Sequence, residues 1–204
     1  MTDNFALLSE PRHPWINADS LKEKFLSLSS QVHPDRVHHA PEAERRSAGG
    51  RYAELNAAYN CLREPKDRLR HLLELELGAK LVDIQSVPPE LMDTFFEVGR
   101  LCREVDAFLK EKATVTSPVL KVQLFERGQD WTDQLNVVQR IINTRREELM
   151  LELKAMNPAW EAAAQTGAPR EKLPLGRLEE ICRLLGYYAR WSEQIQERIV
   201  QLSF

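Results

Sequence analysis

Residues 33–39 hold the densest group of side chains in the chain that could do chemistry. The group consists of three imidazoles and one carboxylate: His33, His38, His39 and Asp35. Imidazole and carboxylate groups can bind a metal ion, but the sequence offers no pattern for a fourth ligand or for residues that would orient these ligands. A second interpretation is an ordinary exposed loop in which Asp35 serves as a helix cap.

A third interpretation is that this segment contacts another protein. Pro34 fixes its own φ and lacks an N–H donor, so the chain turns sharply at this place. The carboxylate of Asp35 can bind an arginine or a lysine of a partner, and His33 presents two ring nitrogens. Such a loop is a shaped, charged projection, and any catalysis would belong to the partner.

Nothing elsewhere in the sequence indicates an enzyme. It contains no nucleophile–base pair, carboxylate pair or phosphate-binding loop at a plausible spacing. We therefore expect no catalytic residues, no cofactor and no resident metal.

Two amphipathic helices are predicted on either side of the segment. In the first, apolar residues recur at steps of four, three and four, which places them on one helix face: Leu21, Phe25, Leu28 and Val32. In the second, they recur at steps of three, four and three: Tyr52, Leu55, Tyr59 and Leu62. We expect Asp19 to cap the first helix and Pro34 to end it, and Pro41 to lie in the first turn of the second. The two glycines Gly49-Gly50 predict a frayed first half of that second helix.

This arrangement resembles the J domain, the module that defines DnaJ-type co-chaperones. The resemblance rests on a His-Pro-Asp loop between two antiparallel helices, followed by Asn-Ala-Ala-Tyr at 56–59 and then by Leu62, Pro65 and Arg68. In that family the loop makes an ATPase of the DnaK class hydrolyse ATP. The resemblance implies the following chaperone-binding residues: His33, Pro34, Asp35, Arg36, Lys22 and Lys24.

The helix before the loop departs from the general J-domain pattern. J domains carry several basic residues along this helix, which attract an acidic partner surface. Here Leu26, Ser27 and Gln31 occupy outward positions that are often basic. We expect weaker electrostatic steering and therefore a dedicated chaperone partner.

The remaining helices complete an all-α prediction. A short helix with Phe5 and Leu8 opens the chain, and a helix over 66–77 closes at Gly78. Three longer helices are predicted after residue 88, and their apolar stripes can be buried only against one another, which favours an antiparallel three-helix bundle. The bundle helices are expected near 90–112, from 118 to about 156, where Asn157-Pro158 marks a break, and from 178 to 202. The predicted organisation is a J domain at 1–79, a linker at 80–87 and a C-terminal bundle at 88–204.

A J domain followed directly by a helical bundle resembles HscB, the iron–sulfur co-chaperone, over essentially the whole chain. In that family the bundle binds the cluster scaffold IscU through a hydrophobic patch that begins with a Leu-Met pair, and delivers it to an HscA-type ATPase. The resemblance implies a scaffold-binding set: Leu91, Met92, Phe95, Phe96 and Leu184. The alternatives are a J protein with a different client and a non-catalytic helical adaptor.

The residue pattern around this set permits an exposed patch. Leu91, Phe95 and Val98 form one stripe on their helix, and Met92, Phe96 and Gly99 form a second stripe beside it. A helix needs only one stripe to join a bundle, so the other is either a binding patch or part of a wider interface, with Phe96 buried against the J domain. At least two of the three residues Leu184, Tyr187 and Tyr188 are expected to lie in the core.

Composition limits the classes of protein further. The 204 residues are 43% hydrophobic and 29% charged with a net charge of −3, which suits a soluble helical protein and gives no basic excess for nucleic acid. No apolar stretch is long enough for a membrane span, and no secretory signal is visible. The three cysteines are widely separated and are interpreted as small buried hydrophobes in a reducing cytoplasm: Cys61, Cys102 and Cys182. A second exposed stripe would permit a weak dimer, and otherwise we expect a monomer.

Overall fold

The computed structural model describes residues 2–33, 39, 41–81, 87–166 and 173–203. Within these ranges the chain is all α, as predicted, with seven α-helices, one 3-10 turn and no strand. In chain order the helices are α1 Asn4–Leu7, α2 Ala18–Gln31, α3 Glu42–Arg63, α4 Pro65–Leu77, α5 Met92–Thr114, α6 Pro118–Thr166 and α7 Leu175–Leu202, with the 3-10 turn Pro89–Leu91 before α5. None of these helices combines the length and the apolar composition that crossing a bilayer requires.

The chain forms two compact units. The first unit contains Met1–Val82 and Met150–Arg183, and the second contains Asp83–Leu149 and Leu184–Phe204. Residues from both α6 and α7 therefore belong to each unit. The division into 1–79 and 88–204 remains a prediction about domains, and the compact units differ from it in placing residues 150–183 with the N-terminal part.

The helices α2 and α3 form the predicted hairpin of the first unit. The ring of Phe25 stacks on Tyr59 with centroids 4.4 Å apart, and His33 meets Tyr52 at 5.1 Å. Because His33, just beyond the end of α2, meets an earlier residue of α3 than Phe25 does, the two helices run antiparallel. The hairpin buries apolar side chains from both helices and packs with α1 and α4: Leu21, Leu55, Ala58 and Leu62.

Local signals determine where these helices begin and end. Asn17, not Asp19, caps α2, because the Asn17 side chain accepts from the Ser20 amide while Asp19 lies in the first turn. Pro41 precedes α3 as its N-cap, and α3 then runs without a break through both glycines. Gly78 ends α4 in the left-handed region at φ 69°, a conformation that glycine adopts without steric cost.

The predicted break at Asn157-Pro158 is wrong, because α6 continues to Thr166 with Pro158 in its interior. Contacts within the first unit explain why the helix persists. The Asn157 side chain binds the backbone N–H and C=O of Trp15 at 3.0 and 2.9 Å, and the Lys154 ammonium lies 4.8 Å from the centre of the Trp15 ring. These contacts, made by the turn before Pro158, thus outweigh the local cost of a missing N–H donor.

The second unit is a three-helix bundle made of α5, the first part of α6 and the last part of α7. Its buried side chains come from all three helices: Val98, Leu101, Val105, Phe108, Leu135, Ile142, Leu185, Trp191 and Ile195. Polar contacts accompany this core, including a 2.8 Å ion pair between Arg198 and Asp106. Of the predicted stripe Leu91, Phe95 and Val98 on α5, Leu91 and Val98 are buried, whereas Phe95 is 41% exposed.

Candidate functional site

The His-Pro-Asp loop begins where α2 ends. Val32 follows the last residue of α2 as its C-cap, and His33 comes next. The His33 ring is half-buried and meets the edge of the Tyr52 ring at 79°. The start of the loop is therefore positioned by a side chain of α3. Pro34, Asp35 and Arg36 lie outside the described residues, so their roles stay predictions.

The metal interpretation of this segment falls partly outside the described residues as well, since Asp35 and His38 are not among them. Within the described parts of the chain, no group of three or more His, Cys, Asp or Glu side chains is arranged to hold a metal ion. His39 is exposed.

The two lysines of α2 have different environments. Lys22 is exposed. The ammonium of Lys24 lies 2.9 Å from a carboxylate oxygen of Glu10 and 3.3 Å from the carbonyl oxygen of Ser9. Because the Glu10 side chain is only 6% exposed, this contact ties the N-terminal segment to α2. No local pattern in the sequence predicted this contact, since Glu10 lies outside the helix that it contacts.

The outward positions that depart from the J-domain pattern are exposed as expected. Ser27 and Gln31 face solvent, and Leu26 is 54% exposed. The hydroxyl of Ser30 donates to the carbonyl of Ser27 at 2.8 Å, a bond within the helix itself.

The predicted scaffold-binding residues divide into an exposed part and a buried part. Phe95 and Phe96 are 41% and 61% exposed, with ring centroids 5.6 Å apart, and Met92 is half-exposed. We call these three residues the α5 patch. Leu91 and Leu184 are only 3% and 6% exposed, so they belong to the core of the second unit. Their part in binding stays a prediction.

Burial separates these residues into core and surface. Phe96 is 61% exposed, so it does not belong to the core of the second unit. Leu184, Tyr187 and Tyr188 are all buried, as expected for core residues of α7. The rings of Tyr187 and Tyr188 both pack near Trp191.

Charged side chains beside the α5 patch pair with one another. Arg100 binds both carboxylate oxygens of Glu97, the shorter contact at 2.8 Å, and reaches Glu104 at 2.6 Å. These hydrogen bonds raise the pKa of Arg100, and the bond from Arg100 lowers the pKa of Glu97. The acidic character of this rim is therefore reduced by a cation from the same helix.

The cysteines are free thiols. Cys102 is buried as expected, whereas Cys61 and Cys182 are half-buried. Burial raises the pKa of all three thiols, and raises that of Cys182 to about 11. All three therefore stay protonated near neutral pH, which agrees with small apolar residues rather than reactive nucleophiles.

Comparison with known proteins gives a consistent result at the level of the fold. No model of a protein family matches the sequence. The structure is similar to the chaperone HscB from Vibrio cholerae, with a TM-score of 0.62 and 20% identity, over 98% of this chain and 99% of that one. It is also similar to the human co-chaperone protein HscB, with a TM-score of 0.61 and 17% identity, over 98% of this chain and 81% of that one. The chain thus has the fold of the HscB co-chaperones, which confirms at the level of fold the resemblance found in its sequence.

Proposed function

We propose that this chain is a non-catalytic J-type co-chaperone of iron–sulfur cluster assembly. In this proposal the loop at 33–35 stimulates a DnaK/HscA-class ATPase, and the second unit brings a client, the IscU-like scaffold. One observation carries the proposal: a His-Pro-Asp sequence follows directly on α2 of a J-type hairpin, in a chain with the HscB fold over 98% of its length.

The chaperone half of the function needs no reactive group in this chain. In this proposal the loop acts as a signal to the ATPase, because the ring of Pro34 fixes its own φ and Asp35 offers a carboxylate to a cation of the ATPase. The edge contact between His33 and Tyr52 holds the first residue of the signal against α3. ATP hydrolysis, with its metal ion and phosphate contacts, belongs to the partner.

The client half of the function is assigned to the α5 patch. A methionine and two phenylalanines that face solvent on one helix offer apolar surface, and burying such surface contributes roughly 25 cal/mol per Å². Aromatic side chains are frequent energetic anchors of interfaces. Because one chain would hold both client and ATPase signal, the second encounter takes place at raised effective concentration.

The three free cysteines indicate where the protein works. Free thiols persist in a reducing compartment, and we propose that this compartment is the cytoplasm. The client chemistry also fits an apolar contact, because the neighbouring cation Arg100 is already bound by Glu97 and Glu104.

Binding of an IscU-like scaffold to single-residue variants tests the client assignment. We expect Phe96→Ala to weaken binding by about tenfold, since truncating an anchor typically costs more than 1 kcal/mol, and Met92→Ala to weaken it less. Phe125→Ala is the matched control, because Phe125 is another exposed phenylalanine of the second unit, at 64%, but lies on α6. The same scaffold affinity for the Phe96 and Met92 variants as for the unchanged chain would refute the patch assignment.

A further inference from the structure

One exposed cation lies on the same face of α5 as the most exposed ring of the α5 patch. Phe96, Gly99 and Arg103 follow one another at steps of three and four, the spacing that places residues on one face of a helix. Phe96 is 61% exposed, and Arg103 is exposed as well. Because stable protein interfaces extend over more than two helical turns, a protein that covers Phe96 also comes near Arg103.

The side chain of Arg103 reaches back toward Phe96. A Cβ atom on Gly99 would lie 3.4 Å from the Nη1 atom of Arg103, so the guanidinium lies beside the Gly99 backbone, about one turn before its own Cα. Long side chains on helices lean toward the N-terminus in this way. Since glycine has no side chain, position 99 places no side-chain atoms between the guanidinium and the phenylalanine.

The charge of Arg103 has no structural use in the part of the chain that the structure describes. Arg103 makes no ion pair with a described residue, whereas Arg100 is held by two carboxylates of the same helix. Asp106, three residues after Arg103, is paired with Arg198 at 2.8 Å. Arg103 also lies in the middle of α5, away from the last turn, where a cation would interact favourably with the helix dipole.

The acids at the other end of the α5 patch have a structural explanation. Glu90 lies in the 3-10 turn and Asp93 in the first turn of α5, and both are exposed. Negative charge at these positions interacts favourably with the helix dipole. The exposed apolar surface of α5 is thus bordered by acids at its N-terminal end and by Arg103 on its C-terminal side, so a partner has to match charges in this order.

We propose that the client of the α5 patch presents an aspartate or a glutamate to Arg103, beside an apolar recess that receives Phe96. This inference rests on the proposed function and goes beyond it by stating the chemistry of the client surface. An arginine can bind a carboxylate through two parallel hydrogen bonds, and a charge at the border of an interface selects among partners. A client with lysine or arginine at this place is disfavoured, because like charges across an interface raise the free energy of the complex.

The experiment measures how tightly charge-reversed variants of the full chain bind the IscU-like scaffold of the same organism. We expect Arg103→Glu to weaken binding about fivefold at low salt, because the substitution removes an exposed ion pair and adds a repulsion. The loss should shrink as the salt concentration rises and screens both charges. Arg140→Glu is the matched control, since Arg140 is an exposed arginine of the second unit on α6. Circular dichroism verifies that each variant keeps its helix content.

Charge reversal on the scaffold identifies the group that meets Arg103. The exposed aspartates and glutamates of the scaffold are replaced by lysine one at a time. We expect one of these scaffold variants to bind the unchanged chain more weakly and to restore binding to Arg103→Glu, because the pair is then re-formed with opposite polarity. If no scaffold variant restores binding to Arg103→Glu, the inference is overturned.

The outcomes distinguish this inference from the function on which it rests. If Phe96→Ala weakens scaffold binding while Arg103→Glu binds like the unchanged chain, the inference about the carboxylate is overturned and the patch assignment stands. Tighter binding by Arg103→Glu would overturn it too, because it would show a basic client surface. If the unchanged chain does not bind the scaffold, both the client assignment and the inference fail.

Discussion

At the scale of single residues, a buried histidine fastens the N-terminal segment to α4. The ring nitrogen Nε2 of His71 accepts the backbone N–H of Asn4 at 3.0 Å, and the ring stacks on Phe5 with an interplanar angle of 11°. Arg12 adds a 2.8 Å ion pair to Asp3 on the same segment. Because an accepting Nε2 carries no proton, this contact requires the neutral imidazole.

The protonation of His71 makes stability depend on pH. Burial lowers the pKa of His71 below its ordinary value of 6.5, although the charges of Asp3 and Glu74 act in the opposite direction. The unfolded chain therefore takes up a proton more readily than the folded one, so stability is present above about pH 6.5 and is lost as the pH falls below it. We expect the melting temperature to fall between pH 7.5 and pH 5.5, and to fall less for His71→Gln.

His13 is the internal reference for this measurement, because burial lowers its pKa in the same direction and it still titrates in the variant. Some pH dependence should therefore remain in His71→Gln. If the melting temperature of His71→Gln falls with pH as steeply as that of the unchanged chain, the role given to His71 is contradicted. Carboxylates with a lowered pKa, such as Asp3, titrate at lower pH and do not disturb the comparison.

At the scale of elements, α6 is the helix whose course depends most on distant contacts. It passes through Pro158 because Asn157 binds both backbone groups of Trp15, and Lys154 covers the Trp15 ring. Trp160, two residues after the proline, is buried in the same unit. The Asn157 side chain thus supplies the hydrogen-bond partners that the backbone N–H and C=O of Trp15 need.

Asn157→Ala tests this account of α6. The substitution removes two hydrogen bonds and leaves the Trp15 backbone groups unpaired, so we expect the free energy of unfolding to fall by about 1–3 kcal/mol. Asn136→Ala, at an exposed position of the same helix, should change it by at most about 0.5 kcal/mol. Denaturant unfolding of the two variants measures both values, and equal stability would mean that the Asn157 contact does not support the fold.

The elements also show what could be predicted from the sequence. The hairpin, the ends of α4 and the bundle follow from signals within a few residues: apolar steps of three and four, a proline at the start of α4 and Gly78 at its end. The course of α6 through Pro158 was not predictable, because the contact that holds it lies 142 residues away in sequence. Periodicity likewise showed two apolar stripes on α5. It did not show which of their residues would face solvent, because that depends on which distant helices cover them.

At the scale of the whole molecule, the two proposed contacts belong to different units. The hairpin with the start of the loop lies in the first unit, and the α5 patch lies in the second. The sequence predicted both contacts through the resemblance to J domains and HscB. It did not predict that residues 150–183 pack with the N-terminal part, because an apolar stripe does not state which neighbour covers it.

The rate of ATP hydrolysis by the partner distinguishes a J-type co-chaperone from a helical adaptor. A chain that only connects proteins would leave the rate of ATP hydrolysis unchanged. A J-type co-chaperone changes that rate through its loop, even though it contributes no catalytic group of its own. The two accounts therefore differ in a rate and not merely in binding.

Single-turnover ATP hydrolysis by an HscA-class ATPase, with and without the chain, is the most direct test of the co-chaperone function. We expect the unchanged chain to accelerate hydrolysis several-fold, and His33→Gln to abolish the acceleration while its helix content and melting temperature stay close to those of the unchanged chain. No acceleration by the unchanged chain of either an HscA-class or a DnaK-class ATPase, or full acceleration by His33→Gln, would contradict the account.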